Sequence, residues 1–73
     1  MPIIDMQATG QNIKKMMNSR GMTVKDIQDI FGFSTGQAIY KWFHGKSLPT
    51  IDNMVVIAAI FHVKVDDILV IRE

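Results

Sequence analysis

Apolar residues recur along this chain at the three- and four-residue spacing of helices that bury one face, and polar or glycine breaks divide the pattern into five segments. The first begins at the N-cap Asp5 and runs through Met6, Ile13, Met16 and Met17 to Arg20. Gly21 closes it, in an ending that sets Met22 against Met17, while Gly10 weakens its first turn. The second starts at the N-cap Thr23, has Asp26 in its first turn and carries Val24, Ile27, Ile30 and Phe31. Gly32 ends it, and Phe33 folds back onto Ile27 and Phe31. In the third, Ser34 and Gln37 have capping-box spacing, which starts a helix at Thr35 that runs to about residue 44 before Gly45, with Ile39, Trp42 and Phe43 as its buried seam.

The fourth segment is capped by Thr50 and has a core stripe of Ile51, Met54, Val55, Ala58 and Phe61. Val56, Ile57, Ala59 and Ile60 make its other side apolar too, so this helix is either the buried centre of the domain or partly covered by a second subunit. A fifth, short helix holds Ile68 and Leu69, and starts weakly because Lys64 stands at its cap. The β-prone ends, Ile3-Ile4 and Leu69-Val70-Ile71, can pair as a small sheet or across a dimer. No repeat, linker or low-complexity tract interrupts the series, so residues 1–73 read as one all-α domain of five helices.

The outer face of the third helix directs attention to function. Gln37, Tyr40, Lys41 and His44 lie at i, i+3, i+4 and i+7, and no acidic residue occurs between Asp29 and Asp52. Helix, glycine turn and polar-faced helix over residues 23–45 form the unit whose second helix enters the DNA major groove. The run GFSTGQAIYKWFHGKSLPTIDNMVVIAAIF, followed by VDDIL, resembles the Cro/lambda-repressor-type helix-turn-helix family of bacterial and phage regulators, also called the xenobiotic response element family. The likeness covers roughly residues 8–70. It departs at Gln28, where the family commonly has a small residue, and in one additional residue between Gly32 and Gly45.

The resemblance implies a lambda-repressor-like fold and a transcriptional regulator that binds double-stranded DNA as a homodimer on a palindromic operator, with a recognition helix over about 35–44. Thr35, Gly36 and Gln37 would lie nearest the bases. Gln37 is the candidate for reading adenine, since its amide can make a bidentate contact. Tyr40, Lys41, His44, Lys46, Ser47, Ser34 and the helix start at Thr23 would hold the backbone. Lys14 and Lys15 read as a solvated face. Tyr40 is expected to be exposed and Trp42 to lie in the core.

Composition narrows the alternatives. With 73 residues, no cysteine and 48% hydrophobic content, the chain has little room for a substrate pocket beside its core, and an enzyme is not expected. His44 and His62 have no partners at metal-ligand spacing, and no phosphate-binding glycine loop is present, so neither metal nor cofactor is expected. Nor is a small-molecule substrate or a membrane span, and the cytoplasm is the default location. A formal charge of only +1 leaves a second class open, a protein-interaction module such as an antitoxin or adaptor that keeps the same fold.

Overall fold

The computed structural model describes residues 1–73. Its helices are α1 (Met6–Ser19), α2 (Val24–Phe31), α3 (Gln37–Phe43), α4 (Ile51–Phe61) and α5 (Val65–Ile68), set between two terminal strands, β1 (Ile3–Ile4) and β2 (Ile71–Arg72). The strands pair antiparallel within the chain, Ile4 opposite Ile71 and Ile3 opposite Arg72, which settles the fate of the β-prone ends. Two further bonds anchor this ribbon. Asp5 N–H donates to the Val70 carbonyl at 2.8 Å, and Val70 N–H donates to the hydroxyl of Thr9, which is fully buried.

Most helix ends follow from local sequence. Asp5 and Thr50 accept from the backbone N–H of Ala8 and Asn53 at 3.0 and 3.2 Å. At α2 the cap is reciprocal, because Thr23 accepts from Asp26 N–H while the Asp26 carboxylate accepts from Thr23 N–H. Lys64 supplies no side-chain acceptor to α5, and the Asp67 carboxylate compensates by accepting the Lys64 N–H at 2.9 Å. α1 and α3 end in Schellman turns, with Met22 N–H reaching the Met17 carbonyl and Lys46 N–H the Lys41 carbonyl. α4 uses the same turn without a glycine: Val63 N–H donates to the Ala58 carbonyl, and His62 takes φ 57°. A left-handed residue with a Cβ is strained by roughly 1–2 kcal/mol. His62→Gly is therefore expected to stabilise the exposed turn by about 1 kcal/mol, read as a higher urea midpoint at unchanged slope; a lower midpoint would show that the histidine side chain contributes a contact there.

The core joins Ile13 and Met17 of α1, Ile27 of α2, Ile39, Trp42 and Phe43 of α3, four residues of α4 and Ile68 of α5. The α4 stripe is Met54, Ile57, Ala58 and Phe61, rotated from the expected one, and Ile51 and Val55 are 84% and 56% exposed. Apolar positions run nearly all the way round this helix, so periodicity alone cannot phase it. The outcome also decides against full burial of α4, since Ile51, Val55, Val56 and Ala59 all reach solvent.

α1 organises the rest. Gly10 packs so closely on α3 that a methyl group added there would overlap the Trp42 carbonyl. Around it, Gln11 donates to the Phe43 carbonyl at 2.8 Å, and Asn12 donates to the carbonyls of Asp67 and Ile68. Arg20 donates through Nε and Nη2 to the Phe61 carbonyl, with its guanidinium 5.2 Å from the Phe61 ring centroid. Two side chains of α1 and that of its C-cap residue Arg20 thus satisfy orphan carbonyls at the C-termini of α3, α5 and α4.

Candidate nucleic-acid interface

The angle between α2 and α3 is held by aromatic rings. Gly32 turns the chain at φ +69°, and Phe33 stacks on Phe31 with centroids 5.2 Å apart. Both rings meet Trp42 nearly edge-on at 6.1 Å. Ser34 does not cap the third helix, contrary to expectation. α3 begins at Gln37 with Gly36 in the N-cap position, and the one side-chain bond there is from Gln37 N–H to the Thr35 hydroxyl at 3.3 Å. The helix therefore occupies Gln37–Phe43 rather than 35–44. Gly36 is closely packed: a Cβ there would lie 2.9 Å from Val24 Cγ1 and 3.3 Å from the Tyr40 ring. This glycine thus lies in close contact with α2, and Gln28 of α2 is half-buried.

Gln37, Tyr40, Lys41 and His44 are all exposed on the outer face of α3, and Trp42 is buried beneath it. A groove lies on each flank. One, of about 430 Å³, runs between the turn, α3 and the following loop, and brings together Ser34, Thr35, Gln37, Lys41 and Ser47. The other, of about 360 Å³, separates α3 from α1 and is lined on the polar side by Gln11, Lys14, Asn18, Tyr40 and His44. The Lys14 ammonium sits 5.7 Å from the Phe43 ring centroid. No acidic side chain lines either groove. The single ion pair of the molecule is Lys25 with Asp29, so Lys14, Lys41 and Lys46 are not engaged by carboxylates.

Seven of the ten expected contact residues line these grooves. Lys46 is exposed, just past a Gly45 that presses on the Gln7 backbone, and Gly36 is half-buried at the α2–α3 contact. Thr23 stands apart, because its N–H and hydroxyl are both engaged by Asp26, whose carboxylate places negative charge at that helix start. Gln11, Lys14 and Asn18 were not expected here. Their i, i+3 and i+7 spacing does put them on one face of α1, but only the Gly10 contact places that face beside α3.

A family model described as helix-turn-helix matches residues 13–68. The chain belongs to the Cro/lambda-repressor-type helix-turn-helix family. It is thus a DNA-binding helix-turn-helix protein, in a family defined by DNA binding rather than by catalysis. No curated protein and no solved structure was found to match it. Among the helices of this family member, none is long and apolar enough to cross a membrane.

Proposed function

We propose that this helix-turn-helix protein is a sequence-specific transcriptional regulator that inserts α3 into the major groove, as a homodimer on a palindromic operator in the cytoplasm. The observation that carries this reading is the pair of acid-free, lysine-bearing grooves flanking α3. A helix seated in the major groove has a phosphate backbone on either side, and each groove offers one strand a lysine with hydroxyl or amide donors. Gln37, at the start of α3, reads adenine with Thr35 beside it at the bases, and Ser34, Tyr40, Lys41, His44, Lys46 and Ser47 hold the backbone. A single helix reads few base pairs, so two half-sites about 34 Å apart supply the remaining specificity.

The test is selection from a randomised duplex library, followed by a salt titration on the selected site. A palindromic motif is expected, with log K falling against log salt by about 3 per half-site if Lys14, Lys41 and Lys46 each neutralise one phosphate. A second reading, a protein-interaction module that keeps this fold, draws on the exposed apolar side of α4. Failure to enrich any motif, with no salt-dependent DNA binding, would favour it.

A further inference from the structure

We propose that the groove between α1 and α3 is also a binding site for a small organic anion, an aromatic carboxylate, whose occupancy excludes DNA. The groove holds about 360 Å³, within the ~300–1,000 Å³ of small-molecule sites. Its floor is apolar: Met17 and Phe43 are 2% and 5% exposed, and Met22 and Val24 are half-buried beside them. Its rim is polar and cationic, formed by Gln11, Lys14, Asn18, Tyr40 and His44. Of these side chains only Gln11 is committed to a hydrogen bond within the chain, donating to the Phe43 carbonyl at 2.8 Å.

A phosphate strand needs the rim alone. Its oxygens take charge and hydrogen bonds from Lys14 and the polar donors, and gain nothing from two thioethers, a valine and a phenylalanine ring. An anion with an apolar body uses both layers. Thioether sulfur packs favourably against aromatic rings, and Phe43 and Tyr40 already meet edge to face at 5.9 Å, so a flat ring suits this floor better than an aliphatic chain. The rim fixes the sign of the ligand's charge, since no carboxylate lines the groove and the Lys14 ammonium is held 5.7 Å from the centroid of the Phe43 ring. A carboxylate carried on the ring therefore meets Lys14, with Asn18 and Tyr40 as further donors. Such a ligand covers Tyr40 and neutralises Lys14, so ligand and operator each weaken the other by the same factor. The competition rests on the DNA-binding reading above; occupancy of the groove does not.

Methyl NMR of the full chain, labelled at its methionine methyl groups, tests this with phenylacetate as the probe. The Met17 and Met22 methyls are expected to shift saturably, while that of Met54, which does not line the groove, stays in place. Phenylacetamide keeps the ring without the charge and acetate the charge without the ring; both, and inorganic phosphate, should bind at least tenfold more weakly. Lys14→Gln should weaken phenylacetate by a similar factor, and Lys15→Gln, exposed but outside the groove, should not. In fluorescence anisotropy at matched sodium concentration, phenylacetate should release a bound duplex and acetate should not. No saturable shift at tens of millimolar, or an equal shift with phenylacetamide or phosphate, overturns the inference, and duplex binding retained in the same samples leaves DNA recognition standing. Phenylacetate that fills the groove without displacing the duplex overturns the exclusion and shows that this groove does not meet phosphate. A protein that binds no duplex fails the reading above, and the methyl shifts still decide whether the groove takes the anion.

Discussion

Gly10→Ala is expected to destabilise the domain by roughly 3 kcal/mol or more, although the same change in an ordinary helix interior stabilises by about 0.5–1 kcal/mol. The sign reverses because the new methyl group would overlap the Trp42 carbonyl, a backbone atom that no rotamer change can move. Relief requires α1 and α3 to separate, which would also break the bond from Gln11 to the Phe43 carbonyl and open the boundary around Ile13, Trp42 and Phe43. A domain of this length has about 4–11 kcal/mol in total. Thermal unfolding followed by Trp42 fluorescence should show a fall of at least 12 °C at about 4–8 °C per kcal/mol. An unchanged or raised midpoint would mean that α1 and α3 do not approach as described.

Gln37→Ala and Lys14→Ala should damage DNA binding in different ways. Loss of the Gln37 amide is expected to cost about 1–3 kcal/mol of discrimination at one base position in each half-site, while leaving the salt dependence unchanged. Lys14→Ala should weaken binding to every sequence by a similar factor and reduce the slope of log K against log salt by about 1 per subunit. Fluorescence anisotropy with matched and singly substituted duplexes between 50 and 200 mM salt separates the two. If Lys14→Ala leaves the slope untouched, the groove between α1 and α3 does not meet phosphate. If Gln37→Ala tolerates no new base anywhere, α3 is not read from its first turn.

Much of this interface was legible because its signals are local. Thr23, Gly32 and Gly45 mark the ends of α2 and α3 through bonds spanning at most five residues, and the outer face of α3 follows from helical spacing alone. The start of α3 was misplaced because Ser34 and Gln37 have the spacing of a capping box that does not form, the helix beginning instead at Gln37 with Gly36 before it. Met54, Ala58 and Phe61 of α4 are buried as expected, but Ile51 and Val55 were misassigned for a different reason: a helix apolar on nearly every side has no preferred face until its neighbours are in position.

The sequence by itself therefore determined the number and order of the helices, the glycine turn, the buried aromatic seam and the polar face of α3, all set by caps and periodicities within one or two turns. Only the tertiary structure decided what Gly10, Gln11, Asn12, Lys14 and Arg20 do, because the packing partners are remote in sequence: Gln11, Arg20 and Asn12 donate to carbonyls 32, 41 and 56 residues away along the chain. It also decided which side of α4 remains exposed. Long-range packing selects among helix faces that local chemistry leaves equivalent, and in this protein those selections bring Lys14 beside α3 and leave Ile51 exposed.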